Sequence, residues 1–265
     1  MNQTALITGA SSGIGRALAQ QFAAHGYDVV LVARNAAALE DVGRGLPALP
    51  GGPDKARPTV HTIAADLAKT GSAVALVEQL RQRGIRVDVL VNNAGFGLQG
   101  EFTELPADQQ IEMIQLNVVT LTELTRLLLP GMLQRRTGGV LNVASTAAFQ
   151  PGPLMSVYYA TKAFVLSFSE ALATELAPSG VGVLALCPGA TKTEFQEVAG
   201  VSEAVPEFTY MSAEAVVAQA IVAAKAHRRT LVPGWMNKTL VATTRMTPRS
   251  VIARLAGSMF APKAA

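Results

Sequence analysis

Two tyrosines and a lysine stand together in Val157-Tyr158-Tyr159-Ala160-Thr161-Lys162. On a helix, Tyr158 and Lys162 at i, i+4 share a face. A phenol gives or takes a proton, but an ordinary pKa near about 10 is poorly matched to neutral pH. A neighbouring ammonium favours the phenolate and lowers that value. Such a pair suits hydride addition to a carbonyl, which leaves an alkoxide in need of a proton. Tyr159 lies at i, i+3 from Lys162, and that spacing also meets on a helix, so two candidate tyrosines stand. Ser145 ends the apolar run Asn142-Val143-Ala144-Ser145. Its hydroxyl can hydrogen-bond a developing oxyanion.

A second group of residues can hold phosphate. Thr8-Gly9-Ala10-Ser11-Ser12-Gly13-Ile14-Gly15 separates a strand-like run from a helical pattern. Backbone N–H groups at a helix N-terminus bind pyrophosphate, and glycines let it approach. The spacing is Gly-x-x-x-Gly-x-Gly, not the commonest dinucleotide turn, and glycines alone are equally a tight structural turn. Their place at the first strand–helix junction of an alternating chain favours the nucleotide.

An NAD-preferring site puts an acid at the end of the second strand. Here Val30-Leu31-Val32-Ala33-Arg34-Asn35 places Arg34 there instead. A guanidinium pairs with a 2′-phosphate through two hydrogen bonds, which predicts NADPH/NADP over NADH. The plainer alternative is a solvated surface arginine. Asp66 in Ala65-Asp66-Leu67 can accept from an adenine amino group or cap a helix starting at Ala68, and the sequence leaves the two even.

These residues need a scaffold that carries them to one edge. Short apolar runs alternate with helical patterns, which predicts an α/β fold: a single-domain Rossmann-like doubly wound parallel sheet of about seven strands, with helices on both faces. Strands are expected at 5–8, 29–33, 59–64, 87–91, 140–144, 181–187 and 230–232. Helices are expected at 13–25, after a capping Asn35, and at 68–82, 156–177 and 213–227. Residues 107–136 read as one long or broken helix with Pro130 near its last turns. The Pro/Gly-rich residues 46–58 read as an exposed loop and 191–211 as irregular. Neither a repeat nor a composition break divides 1–265. Open α/β sheets bind ligands at the carboxyl ends of their strands, where Ser145 and the glycine turn would meet.

Composition narrows the function further. Of 265 residues 49% are hydrophobic and 15% charged, enough for a core and too apolar for disorder. A net charge of +3 without a basic run gives no footprint for nucleic acid. The single Cys187, in an apolar run, reads as a buried thiol in a reducing compartment, here the cytoplasm. No secretory signal is visible at the N-terminus, and the charge-free stretch 138–161 is broken by Pro151-Gly152-Pro153, which argues against a membrane span. His25, His61 and His227 show no ligand spacing, so no metal is expected. Residues 235–265 are a basic amphipathic extension without acids. They read first as helix packed on the body or a sister subunit, and second as a peripheral contact with a membrane surface.

Taken together, the motifs resemble the short-chain dehydrogenase/reductase family. Thr8–Gly15 resembles its Thr-Gly-x-x-x-Gly-x-Gly turn, and Asn92-Asn93-Ala94-Gly95 is identical to its Asn-Asn-Ala-Gly signature. Tyr158-x-Ala160-Thr161-Lys162 resembles its Tyr-x-Ala-Ser/Thr-Lys motif and selects Tyr158 over Tyr159. Asn117, and Pro188-Gly189 with Thr191 and Thr193, match further positions, so the resemblance spans about residues 4–195.

The resemblance implies a catalytic set of Asn117, Ser145, Tyr158 and Lys162, with Asn117 holding a relay water. It implies cofactor contacts from Gly9, Ser11, Ser12, Gly13, Ile14, Gly15, Arg34, Asp66, Leu67, Asn92, Ala94, Gly95, Tyr158, Lys162, Pro188, Gly189, Thr191 and Thr193. The expected reaction is NADPH-dependent reduction of an apolar ketone or aldehyde, by a homodimer or homotetramer. Phe96, Leu98, Phe149, Leu154, Met155 and the loop at about 190–212 would shape the substrate pocket. The alternatives are a β-ketoacyl thioester reductase, an NADPH-sensing module without turnover, and a membrane-surface scaffold.

Overall fold

A computed structural model describes residues 2–47, 58–200 and 207–260. In chain order the elements are β1 (Thr4–Thr8), α1 (Gly13–Ala24), β2 (Asp28–Ala33), α2 (Ala36–Arg44), β3 (Val60–Ala64), α3 (Ser72–Gln82), β4 (Val89–Asn92) and α4 (Ala107–Ile114). A π-turn (Gln115–Thr120) leads into α5 (Leu121–Arg135), β5 (Gly138–Val143), α6 (Ser156–Glu175) and β6 (Val181–Leu186). Then come β7 (Thr191–Lys192), α7 (Phe195–Ala199), β8 (Met211–Ser212), α8 (Ala213–Lys225), β9 (Thr230–Leu231), α9 (Trp235–Met246) and α10 (Arg249–Phe260).

Seven strands form one parallel sheet in the order β3-β2-β1-β4-β5-β6-β9. Strand order reverses between β1 and β4, which opens a crevice at their carboxyl ends. The strands are apolar on both faces because both faces are covered. Ala5 and Ile7 of β1 pack with Leu18 and Phe22 of α1, Leu39 of α2 and Val216 of α8. Leu6, between them, faces the other layer with Leu76 of α3, Leu124 of α5 and Leu172 of α6. Each such side chain fully removed from water contributes about 1.5–3 kcal/mol against chain entropy.

The expected cap holds, and other expectations change in detail. Asn35 caps α2, its side chain accepting from the Ala38 N–H. The helix expected from residue 68 starts at Ser72, after Gly71 takes a left-handed φ of 78°. The long helix over 107–136 is interrupted by the π-turn and not at Pro130, which lies inside α5. The irregular 191–211 contains the paired β7 and β8 and short α7. The Pro/Gly-rich loop lies mostly outside the described residues, as do 201–206 of the substrate loop and 261–265 of the tail. Within the described residues, no helix is long and apolar enough to cross a membrane.

Candidate active site

The glycine turn joins β1 to α1 at the crevice. Gly9 has φ +64°, and a Cβ there would sit 2.9 Å from the Ala94 Cα. At Gly15 a Cβ would strike the Gly9 carbonyl and the Asn93 amide. Only glycine fits, so the backbone lies bare at the N-terminus of α1. Asn93 holds the turn: its amide donates to the Thr8 and Gly9 carbonyls at 2.8 and 3.1 Å. Thr8 Oγ1 in turn accepts from the Asn93 and Ala94 N–H groups.

One cavity of about 1030 Å³ runs from this turn across the sheet edge. Gly9, Ser11, Ser12, Gly13, Ile14, Arg34, Asp66, Leu67, Ala94 and Gly95 line one end. Arg34 is exposed there and forms no ion pair among the described residues. Asp66 lines the cavity while also accepting from the Ala68 N–H at 3.1 Å, so the capping bond and the open position coexist on one carboxylate. Pro188, Gly189, Thr191 and Thr193 close over the middle. A Cβ at Gly13 would lie 2.9 Å from Thr193 Cγ2, which places this segment directly on the turn.

Ser145, Tyr158 and Lys162 converge at the other end. Ser145 lies two residues past β5 and caps the 3-10 turn Thr146–Phe149, and Tyr158 and Lys162 lie on the buried face of α6. Ser145 is the polar neighbour that favours the ionised form of the Tyr158 phenol, and its Oγ accepts from the Ala147 N–H at 3.1 Å and donates to the Pro188 carbonyl at 3.4 Å. Lys162 Nζ lies 5.8 Å from the Tyr158 ring centre and donates to the Val143 carbonyl at 2.8 Å. Tyr159 also lines the cavity, but its hydroxyl partner is Gln150.

The electrostatics differ from the expectation that Lys162 lowers the phenol. Burial pushes the Tyr158 phenol above its ordinary value, against the smaller opposing effect of Ser145. Lys162 is not among the groups that shift the phenol, and burial lowers its own value to about 8, which leaves it mostly protonated at neutral pH. Burial also pushes the Cys187 thiol up to about 12, so it stays a neutral core group.

The Lys162 shift has a consequence for stability. An unfolded lysine titrates near 10.5, so between about 8 and 10.5 the unfolded chain binds more protons than the folded one. Stability from this group therefore rises with pH across that window. Denaturant titrations at about pH 7 and about pH 9 should show a wild-type gain on the order of 1 kcal/mol that Lys162→Met lacks. Above about pH 9 the buried thiol acts with the opposite sign, because its unfolded form ionises first. The same gain in both proteins would eliminate Lys162 as its source.

Three expected site residues do not reach the cavity. Gly15 lies beneath the turn. The Asn92 amide points into the core, donating to Asn142 Oδ1 and Thr125 Oγ1. Asn117, in the π-turn, accepts from the Phe96 N–H and donates to the Phe96 carbonyl and Thr161 Oγ1. Its side chain is already engaged, and it fixes the segment after Gly95 against α6.

The pocket wall also differs. Phe96, Leu98, Met155, Phe195, Thr209 and Tyr210 line it, whereas Phe149 and Leu154 do not. Phe149 packs into the layer around Leu166 and Cys187. Leu154 has φ 65°, and its carbonyl accepts from the Gly100 N–H. Gln150 lines the cavity as well, beside Tyr159, the other candidate tyrosine. The tail contributes Asn237, Leu240, Thr243, Thr244, Thr247, Ile252, Leu255 and Ala256. Its periodic small and apolar residues were the available signal, but nothing local said what they would cover.

A doubly wound sheet with a glycine cradle at one end of its crevice and a Ser–Tyr–Lys cluster at the other defines a dinucleotide-dependent oxidoreductase scaffold. The short chain dehydrogenase family profile matches residues 3–203, and the chain belongs to that family. A very-long-chain 3-oxoacyl-CoA reductase of Pyrenophora tritici-repentis is 35% identical over 204 residues, 76% of this chain and 59% of that protein. The chain thus spans about three fifths of that relative's length. Among solved structures, a short-chain dehydrogenase from Sphingobium yanoikuyae in complex with NADPH aligns with a TM-score of 0.80 and 36% identity, covering 92% and 94% of the two chains. A bulky-bulky ketone specific alcohol dehydrogenase from Comamonas testosteroni aligns with a TM-score of 0.75 and 30% identity, covering 92% of each.

Proposed function

We propose that this protein reduces an apolar ketone or aldehyde to an alcohol, with NADPH as hydride donor. The observation that carries the reading is that Tyr158 meets both Ser145 and Lys162 at a cavity wall, while Tyr159 meets Gln150 instead. The bare backbone at Gly9, Ser11, Ser12, Gly13 and Ile14, with Gly15 beneath it, fits a dinucleotide pyrophosphate. Arg34 fits a 2′-phosphate, Asp66 and Leu67 an adenine, and Ala94, Gly95, Pro188, Gly189, Thr191 and Thr193 the nicotinamide half. When bound, reduced nicotinamide supplies a hydride to the carbonyl carbon.

The chain's residues handle the oxygen. Ser145 donates a hydrogen bond to it, and the Tyr158 hydroxyl gives it a proton. Protonated Lys162 stabilises the phenolate left behind. High burial keeps the phenol protonated before the step, which suits the reductive direction. Asn117 acts by position, through Phe96 and Thr161. The apolar wall of Phe96, Leu98, Met155 and Phe195 favours bulky carbonyl substrates, as does the likeness to a bulky-ketone dehydrogenase.

A β-ketoacyl thioester is the second reading, favoured by the 3-oxoacyl-CoA reductase relative. A homodimer or homotetramer in the cytoplasm belongs to the same proposal. A panel of bulky ketones, aldehydes and 3-oxoacyl thioesters, followed by loss of NADPH absorbance, tests it. Turnover is expected with bulky ketones. Turnover confined to thioesters would move the assignment to the second reading, and none with any carbonyl would leave an NADPH-binding module.

A further inference from the structure

The two tail helices pack on the body through few side chains. Val241, Ile252 and Ala256 are their buried residues among those described. Asn237, Val241 and Thr244, at i, i+4 and i+7, mark the inward row of α9. The opposite face carries one polar residue, Thr239, whose hydroxyl is turned back onto the Trp235 carbonyl. Trp235, Ala242 and Met246, at i, i+7 and i+11, stand outward, with Trp235 73% and Met246 90% exposed. Met236, Leu240, Val251 and Leu255 are exposed as well.

Charge on this surface has one sign. Lys238 and Arg245, at i and i+7, flank the outward row of α9, and Arg249 and Arg254 are exposed on α10. No Asp or Glu follows Glu214 in the sequence. Large apolar side chains flanked by lysine and arginine are the chemistry of a helix lying in a membrane interface. A second copy of the chain fits less well, because a two-fold contact through this face sets four cations against four. The surface is continuous with the cavity, since Leu240 and Leu255 are both exposed and line it.

We propose that α9 and α10 dock the protein on an anionic lipid bilayer, so that the mouth of the cavity opens at the headgroups and takes apolar carbonyl compounds from the lipid. The docking goes beyond the reaction and can be read without turnover. The delivery of substrate rests on the reductase reading.

Flotation of the full chain with phosphatidylcholine vesicles, with and without phosphatidylglycerol, tests docking. The wild type should float with the anionic vesicles and stay behind with neutral ones. Lys238→Glu/Arg245→Glu should lower partitioning about tenfold or more, with a steep salt dependence. Trp235→Ser/Met246→Ser should lower it several-fold even at low salt. None of these residues lines the cavity, so unchanged thermal midpoints serve as the folding control. Absence of flotation overturns the proposal, and so does flotation that both variants leave intact. A dimer in light scattering that Trp235→Ser/Met246→Ser disperses, without flotation, would assign the face to a second copy.

Discussion

Tyr158→Phe should lower carbonyl turnover by about a thousandfold while NADPH still binds with near wild-type affinity. The variant keeps the ring, and with it the packing against Phe195, whose centre lies 5.3 Å away. It loses only the hydroxyl that meets Ser145. Hydride transfer then has no proton donor at the substrate oxygen, and the loss should appear in kcat more than in KM. Tyr159→Phe is the matched control. Its hydroxyl pairs with Gln150, so the same deletion should change turnover by only a small factor. If Tyr159→Phe lost activity and Tyr158→Phe kept it, the roles would be exchanged. If both kept it, the proton would come from elsewhere.

The second large effect is expected at Arg34. Replacing it with aspartate should raise the dissociation constant for NADPH about a hundredfold and leave NADH weakened far less or improved. Arg34 lies exposed at the cavity end beside the glycine turn, without an ion-pair partner among the described residues. Its charge is therefore available to a phosphate, and aspartate there would repel one while offering an acceptor to a ribose hydroxyl. Titrations of both cofactors by tryptophan-independent calorimetry would measure the change. Equal affinities for NADPH and NADH in the wild type would reduce Arg34 to a solvated surface residue.

The sequence anticipated the sheet well, because strands covered on both faces are apolar at most positions and stand out as short apolar runs. The strand expected at 230–232 is β9, Thr230–Leu231. The sequence misplaced the start of α3, where Asp66 makes its bond to Ala68 without starting a helix. The resemblance implied a cofactor contact at Asn92, and the fold turns that side chain into the core and places the Asn93 side chain on the glycine turn. Phe149 was expected in the pocket, but it lies in the 3-10 turn Thr146–Phe149 and packs into the core around Leu166 and Cys187.

The sequence by itself determined the class of fold and the residue types available for chemistry, because periodicity and glycine spacing are local properties. It also left Tyr158 and Tyr159 as equal partners for Lys162 on helical spacing, with only a resemblance to separate them. Tertiary structure brought Ser145 to Tyr158 and Gln150 to Tyr159, since those contacts depend on how β5 and the turn after it pack against α6. It alone decided that burial, and not the lysine, dominates the phenol. It alone carried α9 and α10 to the cavity, because a helix's amphipathic face states that something is covered and never what lies beneath.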